Sequence, residues 1–187
     1  MVIFGGEKMN NSIKELFQNV EQITGDIIRD SNENIAEPRA INIENIIQGF
    51  NIKVLYQTME DKQAGAIFIR KDGSCIIVIN DADALVRKRF TLAHEFGHYV
   101  SYSYQKKTGT IVDNKDGTHE EFEAARNEES ELGTNVEEVF ANKFASCILM
   151  PKNLVIKAQE ETTNIKELAK RFQVSQQAME IRINTIG

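Results

Sequence analysis

The chain has 187 residues, of which 41% are hydrophobic and 27% are charged, and its net charge is −6. This length suffices for one domain with a hydrophobic core that needs no disulfide bonds. The acidic balance argues against a general nucleic-acid-binding protein. No apolar run reaches the ~18 residues of a membrane span, and the N-terminus lacks the features of a signal peptide. We therefore expect a cytoplasmic protein with no membrane partner.

The first half of the chain predicts two helices and then a small sheet. Apolar residues recur at helical spacing over residues 10–30, and a second, shorter helix is predicted over 43–49. The β-rich run IKVLYQ, residues 52–57, predicts a strand. Residues 66–80 contain two further β-rich runs joined through an Asp-Gly pair, which is a strong signal for a β-hairpin.

The second half predicts mostly helix. A long helix is predicted over 84–103, a further helix over 134–148, and two or three short helices from residue 151 to the end. Between the first two of these helices, residues 105–132 are polar and acidic, which predicts a long loop or a marginal helix, and we expect this stretch to be mobile. Ten acidic and two basic residues give the stretch 113–138 a net charge of −8. This order of elements predicts an α+β fold, in which a small antiparallel sheet of about three strands packs on the long helix and on further helices, with a helical C-terminal tail.

The two cysteines, Cys75 and Cys147, each lie in an apolar segment and do not have metal-binding spacing. Cysteines of this kind are typically buried free thiols in a reducing compartment. We therefore expect no disulfide bond between them.

The long predicted helix contains the sequence HEFGH, residues 94–98. Four residues advance a helix by about 400°, so the imidazoles of His94 and His98 emerge on one face about one turn apart. Glu95 is offset by about 100° from His94, close enough to reach a ligand that both rings hold. HExxH on a helix is the pattern that binds zinc through two histidines, with the glutamate as general base.

A catalytic zinc site normally uses three protein ligands and leaves the fourth position to water. Glu138 shares a predicted helical stripe with Asn142 and two alanines, and the alanines permit close approach to another helix. Asn142 is then placed to orient a ligand histidine. Glu137 and His119 are alternative third ligands, and the residues alone leave this choice open.

Two stretches of the sequence carry a family resemblance. RFTLAHEFGH, residues 89–98, is followed by the pattern E-x-x-A-N-x-F-A-x-x-x-L-M-P from Glu138 to Pro151. Together they resemble the ImmA/IrrE family of bacterial metallopeptidases, over about residues 40–151. The tail ELAKRFQVSQQAMEIRI is also similar to the way many members end. The long acidic insert between the two patterns departs from the family.

The resemblance implies a cytoplasmic, gluzincin-like zinc protease in which His94, His98 and Glu138 hold one Zn²⁺ ion per chain. Typical members cleave, or otherwise relieve, a helix-turn-helix repressor encoded nearby, often on a phage or mobile element. A protein substrate and an anti-repressor function are therefore implied. We expect residues 1–150 to form the metallopeptidase domain, with a catalytic core at about 40–150, and residues 151–187 to form a C-terminal helical segment packed on it.

In this interpretation Glu95 takes a proton from the attacking water and passes it to the leaving amine. A hydrogen-bond donor to the oxyanion is usual in such sites. The candidates in this chain are Tyr99, Tyr102, Tyr104 and His119.

The C-terminal tail leaves a second function class open. Residues 168–183 have the rhythm of a helix-turn-helix, but the second helix offers Glu180 and Arg182 and no basic cluster for phosphates. We expect a packed helical pair, with DNA contact through the tail as the alternative. The alternative function is a non-proteolytic regulator, or a toxin–antitoxin-like component that binds protein or DNA. Catalysis is favoured because structural zinc sites usually fill all four positions with protein groups.

Overall fold

The computed structural model describes residues 11–31, 36–59, 63–70, 73–108, 122–125 and 136–186. Over these residues the chain forms seven helices and four strands. In chain order they are α1 (Asn11–Asp30), α2 (Ile43–Gly49), β1 (Ile52–Gln57), β2 (Gly65–Ile69), β3 (Cys75–Asn80), α3 (Leu85–Lys107), β4 (Phe122–Ala125), α4 (Val136–Leu149), α5 (Lys152–Glu161), α6 (Ile165–Phe172) and α7 (Gln176–Ile186). None of these helices combines the length and the apolar character needed to cross a lipid bilayer.

The four strands form one sheet, in the order β1-β3-β2-β4. β2 and β3 pair antiparallel, with Ile67 opposite Ile77. The turn between them closes through a hydrogen bond from the Gly73 N–H to the Arg70 carbonyl. Gly73 has a φ of +83°, which glycine adopts without the steric cost of a Cβ atom. The predicted β-hairpin is confirmed.

One strand pairing differs from the predicted antiparallel sheet. β1 pairs with β3 in parallel, with Val54 opposite Ile77. The consecutive strands β1 and β2 run in opposite directions, but β3 lies between them, so β1 lies beside a strand that shares its direction. The central β3 is buried along most of its length, which explains why its sequence is almost continuously apolar. The predicted α+β class is confirmed, with a mixed sheet in place of a purely antiparallel one.

α3 is the central helix of the fold, and every residue from Thr91 to His98 is buried. On one side β2 approaches at Gly65, where an added Cβ would lie 2.6 Å from Thr91 Cγ2. On another side α4 approaches at Gly97, where an added Cβ would lie 3.0 Å from Ala141 Cα. The absence of a side chain at these two positions lets α3 lie close to both the sheet and α4.

The structure differs at two places from the loop or marginal helix predicted over residues 105–132. α3 continues to Lys107, because Gln105 is buried and hydrogen-bonded across to α4. Residues 122–125 form β4, which pairs antiparallel with the edge of β2 and so satisfies its backbone groups. The rest of the acidic stretch, with its predicted mobility, lies outside the described residues.

The C-terminal part of the chain consists of three short helices, as predicted. Arg182 of α7 is only 3% exposed. Its guanidinium donates to both carboxylate oxygens of Glu21 in α1, at 2.6 and 2.9 Å, and to the Met150 carbonyl, at 2.8 Å. One hydrophobic core includes residues from all seven helices and from β1, β2 and β3. The division into a domain of residues 1–150 and a segment of residues 151–187 stays a prediction.

Cys75 in β3 and Cys147 in α4 are buried free thiols, as predicted. Burial raises the pKa of each thiol to about 12. Both side chains are therefore protonated near neutral pH and have little nucleophilic character.

Candidate metal centre

His94 and His98 lie one turn apart on α3 and face the same point. His94 is fully buried and His98 is 3% exposed. Their Nε2 atoms lie 3.1 Å apart, and their ring planes meet edge to face at 78°. The spacing of four residues on a helix therefore places both imidazoles together, as predicted.

The third group of the site comes from the first turn of α4. Glu138 is 7% exposed, and its two carboxylate oxygens lie 3.2 Å from His94 Nε2 and 3.1 Å from His98 Nε2. The close approach of α3 and α4 at Gly97 and Ala141, one turn further along α4, brings this carboxylate within reach. His94, His98 and Glu138, called the metal-donor cluster below, place their donor atoms within 4.8 Å of one another.

The spacing of these donor atoms fits one metal ion. Two ligand atoms that lie about 2.0–2.1 Å from a tetrahedral zinc ion are about 3.3–3.4 Å from each other. The three separations within the metal-donor cluster are 3.1, 3.1 and 3.2 Å. Buried groups that all donate electron pairs toward one point need a proton or a cation between them. The cluster is therefore suited to hold a metal ion.

Electrostatics within the site keep Glu138 ionised. Burial acts to raise the pKa of this carboxyl group, but hydrogen bonds from His94 and His98 outweigh it and hold the pKa well below its usual range. A carboxylate that is charged throughout the neutral range is a favourable ligand for a cation.

The two histidines differ in the partners of their second ring nitrogen. His94 Nδ1 lies 3.0 Å from the side-chain oxygen of Asn142, one turn after Glu138 on α4. Because this oxygen accepts a hydrogen bond, Nδ1 of His94 carries a proton, and Nε2, once deprotonated, directs its lone pair toward the metal-donor cluster. His98 Nδ1 is buried and has no hydrogen-bond partner within the described residues. Asn142 thus lies where the sequence predicted an orienting group.

Glu95 is 1% exposed and directly follows His94 on α3. It follows Thr91 by four residues, and Thr91 contacts β2. Because residues four apart share a helix face, Glu95 belongs to the face of α3 that packs on β2, whereas Glu138 belongs to α4.

The alternative third ligands do not reach the histidines within the described residues. Glu137 accepts a hydrogen bond from Gln105 Nε2 at 3.2 Å, so its side chain lies one position around α4 from that of Glu138. His119 lies outside the described residues. The structure therefore brings Glu138, and not Glu137, to His94 and His98.

The three candidate tyrosines of α3 have different surroundings. Tyr99 stacks on Phe96, with the ring centroids 6.0 Å apart, and meets Phe50 edge to face. The ammonium nitrogen of Lys106 lies 5.9 Å from the centroid of the Tyr102 ring. Tyr104 hydrogen-bonds to Glu15 of α1, and this bond raises the pKa of its phenol. Tyr104 is thus engaged on the α1 side of the helix.

Two polar residues of α3 were not singled out from the sequence. Ser101 and Gln105 are 3% and 6% exposed. They follow His98 by three and seven residues, which places them on the histidine face of the helix. Their spacing from His98 could therefore have identified both residues from the sequence.

α7 carries two charged residues, and only one of them is available to a partner. Glu180 is exposed, whereas Arg182 is buried and bonded to Glu21 and Met150. The guanidinium of Arg182 is therefore committed to contacts within the protein. This favours the expected packed helical pair over contact with DNA phosphates.

The protein has an α+β fold in which the HExxH helix α3 supplies two histidines and α4 supplies a glutamate to one cluster. These features define the class of HExxH metal-site proteins. Residues 47–184 match the Peptidase_M78 family, described as the IrrE N-terminal-like domain. The chain belongs to this family, as the ImmA/IrrE resemblance predicted.

Two relatives illustrate how far the likeness extends. The chain is 34% identical over 104 residues to the radiation response metalloprotease IrrE of Deinococcus radiodurans, which is 54% of this chain and 28% of that protein. It also shares its fold with a solved structure of a Mycobacterium tuberculosis transcriptional regulator, with a TM-score of 0.59 and 15% identity over 92% of this chain and 50% of the other. The chain thus spans about a quarter of the first protein and half of the second.

Proposed function

We propose that this chain is a zinc-dependent endopeptidase that hydrolyses peptide bonds in a specific regulatory protein. The observation that carries the proposal is the buried convergence of His94, His98 and Glu138 beside a second buried carboxylate, Glu95. Membership of a metallopeptidase family supports the same reaction class.

One Zn²⁺ ion per chain would be held by Nε2 of His94, Nε2 of His98 and the carboxylate of Glu138. Bound there, zinc would lower the pKa of a water molecule and polarise a peptide carbonyl. Among the described residues the cluster offers three protein donors, which is the number typical of catalytic rather than structural zinc sites. Asn142 would keep His94 in the tautomer that binds metal.

Glu95 is the proposed general base. Its carboxylate would take a proton from the water that attacks the peptide carbonyl, and would then give this proton to the amine nitrogen as the C–N bond breaks. Its burial directly after the proposed ligand His94 supports this role, because the base then lies close to water bound at the metal.

The proposed donor to the oxyanion is a tyrosine of α3. Tyr99 follows Glu95 by four residues and Tyr102 by seven, so both phenols belong to the side of α3 that carries the general base. Tyr104 is bonded to Glu15, which makes it a weaker candidate. We therefore propose Tyr99 or Tyr102 ahead of Tyr104 and His119.

For the substrate we propose a helix-turn-helix repressor of a phage or mobile element, which would make the enzyme a cytoplasmic anti-repressor. This step rests on the resemblance to ImmA/IrrE proteins. The net charge of −8 over residues 113–138 supports it, since an acidic segment attracts the basic surface of a DNA-binding partner.

The test is co-expression of the chain with the repressor encoded next to it. The expected result is a pair of repressor fragments in mass spectrometry that depends on zinc and is absent with the Glu95→Gln variant. If repression is relieved equally by the Glu95→Gln variant and fragments never form, the protein is a non-proteolytic regulator.

A further inference from the structure

A buried polar bridge extends the metal face of α3 beyond the histidines. The side-chain amide of Gln105 is 6% exposed, and its Nε2 donates to Ser101 Oγ at 3.1 Å and to Glu137 Oε1 at 3.2 Å. The first bond stays within α3, whereas the second crosses to α4. Both N–H groups of the amide therefore have acceptors, which the burial of a primary amide requires.

The hydrogen bond that Gln105 donates to α4 is accepted by Glu137, the residue directly before the metal donor Glu138. α4 begins at Val136, so Glu137 and Glu138 are its second and third residues. The first turn of a helix frays readily, since its N–H groups have no partners within the helix. A metal ligand at this place needs a restraint from outside its own helix, because ligand positions must be held within a fraction of an ångström.

Glu138 lies between two points at which α4 is fixed to α3. On its C-terminal side, Gly97 allows α3 to lie against Ala141. On its N-terminal side, Gln105 binds Glu137. With both contacts in place, the backbone of the first turn cannot shift along α3 without breaking a buried hydrogen bond.

We propose that Gln105 is a positioning residue of the metal centre. It binds Glu137 and thereby fixes the first turn of α4, so that the carboxylate of Glu138 stays directed at His94 and His98. The proposal rests on the metal-binding part of the proposed function, and it assigns Glu137 the role of an anchor for α4 and not of a ligand.

The test compares zinc affinity across a small set of variants of the full chain, by competition with a chromophoric chelator. Gln105→Leu keeps a side chain of similar size but removes the bridge, and we expect zinc binding about 10–100-fold weaker. Ser101→Ala is the matched control, because it leaves the bond between Gln105 and Glu137 intact, and its zinc affinity should change less than threefold. Visible absorption of the Co²⁺-loaded protein reports ligand geometry, and we expect its bands to change only in Gln105→Leu.

A second pair of variants approaches the bridge from α4. Glu137→Gln loses the charge but keeps an oxygen that accepts from Gln105, whereas Glu137→Ala loses both. We expect Glu137→Gln to bind zinc close to the unaltered protein and Glu137→Ala to bind it about 10–100-fold more weakly. This pair decides the question even if Gln105→Leu does not fold. Thermal unfolding in a chelator separates a loss of packing from a loss of metal geometry.

Two results would overturn the positioning role and leave the peptidase proposal intact. One is equal zinc affinity of Glu137→Gln and Glu137→Ala. The other is a folded Gln105→Leu protein with unchanged zinc affinity and unchanged Co²⁺ bands. Conversely, a protein that binds zinc with the expected order of affinities but never cleaves a peptide would refute the peptidase proposal and leave the role of Gln105 standing.

Discussion

The side-chain oxygen of Asn142 lies 3.0 Å from Nδ1 of His94, on the side of the ring opposite the metal-donor cluster. This contact joins the second turn of α4 to α3 and sets which ring nitrogen carries the proton. Because the acceptor is on α4, the same helix both supplies Glu138 and orients His94.

Replacing Asn142 with alanine should weaken metal binding without unfolding the protein. Removal of the acceptor lets the ring of His94 rotate and change tautomer, and losses of such outer partners typically cost about 10–100-fold in metal affinity. Chelator competition measures the change. Ser146→Ala, one turn further along α4, is the control and should leave the affinity unchanged. Equal affinity of the Asn142→Ala and Ser146→Ala proteins would contradict an orienting role for Asn142.

The third ligand can be identified from metal content. Glu138→Ala removes the carboxylate that faces both histidines, so we expect mass spectrometry of the purified protein to find its zinc reduced from one ion per chain to a small fraction. His119→Ala should retain the ion. Full occupancy in Glu138→Ala together with loss in His119→Ala would show that the ligand lies in the acidic stretch instead.

Glu95→Gln separates metal binding from proton transfer. The amide is nearly isosteric with the carboxylate, so the variant should fold and bind zinc like the unaltered protein. It cannot take up the proton of water, and loss of a general base typically costs about 10²–10⁴-fold in rate. Repressor fragments quantified over time would measure this loss. Near-normal cleavage by Glu95→Gln would refute the assignment of the base.

Local patterns predicted the elements that depend on neighbouring residues. α2 and β1 lie where the apolar spacing and Gly49 placed them, and the hairpin lies at its Asp-Gly signal. Pairing between distant segments was not predictable in this way. The parallel neighbour of β1 and the pairing of β4 with β2 depend on which edges the whole sheet leaves open, and no short pattern encodes that.

In the candidate site, too, the relations within one helix were predictable and the relations between helices were not. The spacing of His94 and His98 on one helix predicts their convergence, because both lie on α3. The choice between Glu137 and Glu138 depends on how α4 is rotated against α3. That rotation is set by the contact of Gly97 with Ala141 and by the bridge from Gln105, which are relations between helices.

The last prediction concerns Gly97, the glycine inside the HExxH pattern. In a helix, alanine is intrinsically favoured over glycine by roughly 0.5–1 kcal/mol. At Gly97, however, an added Cβ would lie 3.0 Å from Ala141 Cα and 3.2 Å from Phe144 Cδ1, so α4 must move away. Overpacking of this kind costs about 1–3 kcal/mol. We therefore expect Gly97→Ala to lower the free energy of unfolding and to weaken zinc binding, since Glu138 moves with α4.

Gly25→Ala in α1 is the control, because nothing lies within 4 Å of the added Cβ, and it should stabilise the protein slightly. Urea unfolding and chelator competition on both variants make the comparison, and a Gly97→Ala protein as stable as Gly25→Ala with unchanged zinc affinity would show that close helix approach does not position Glu138.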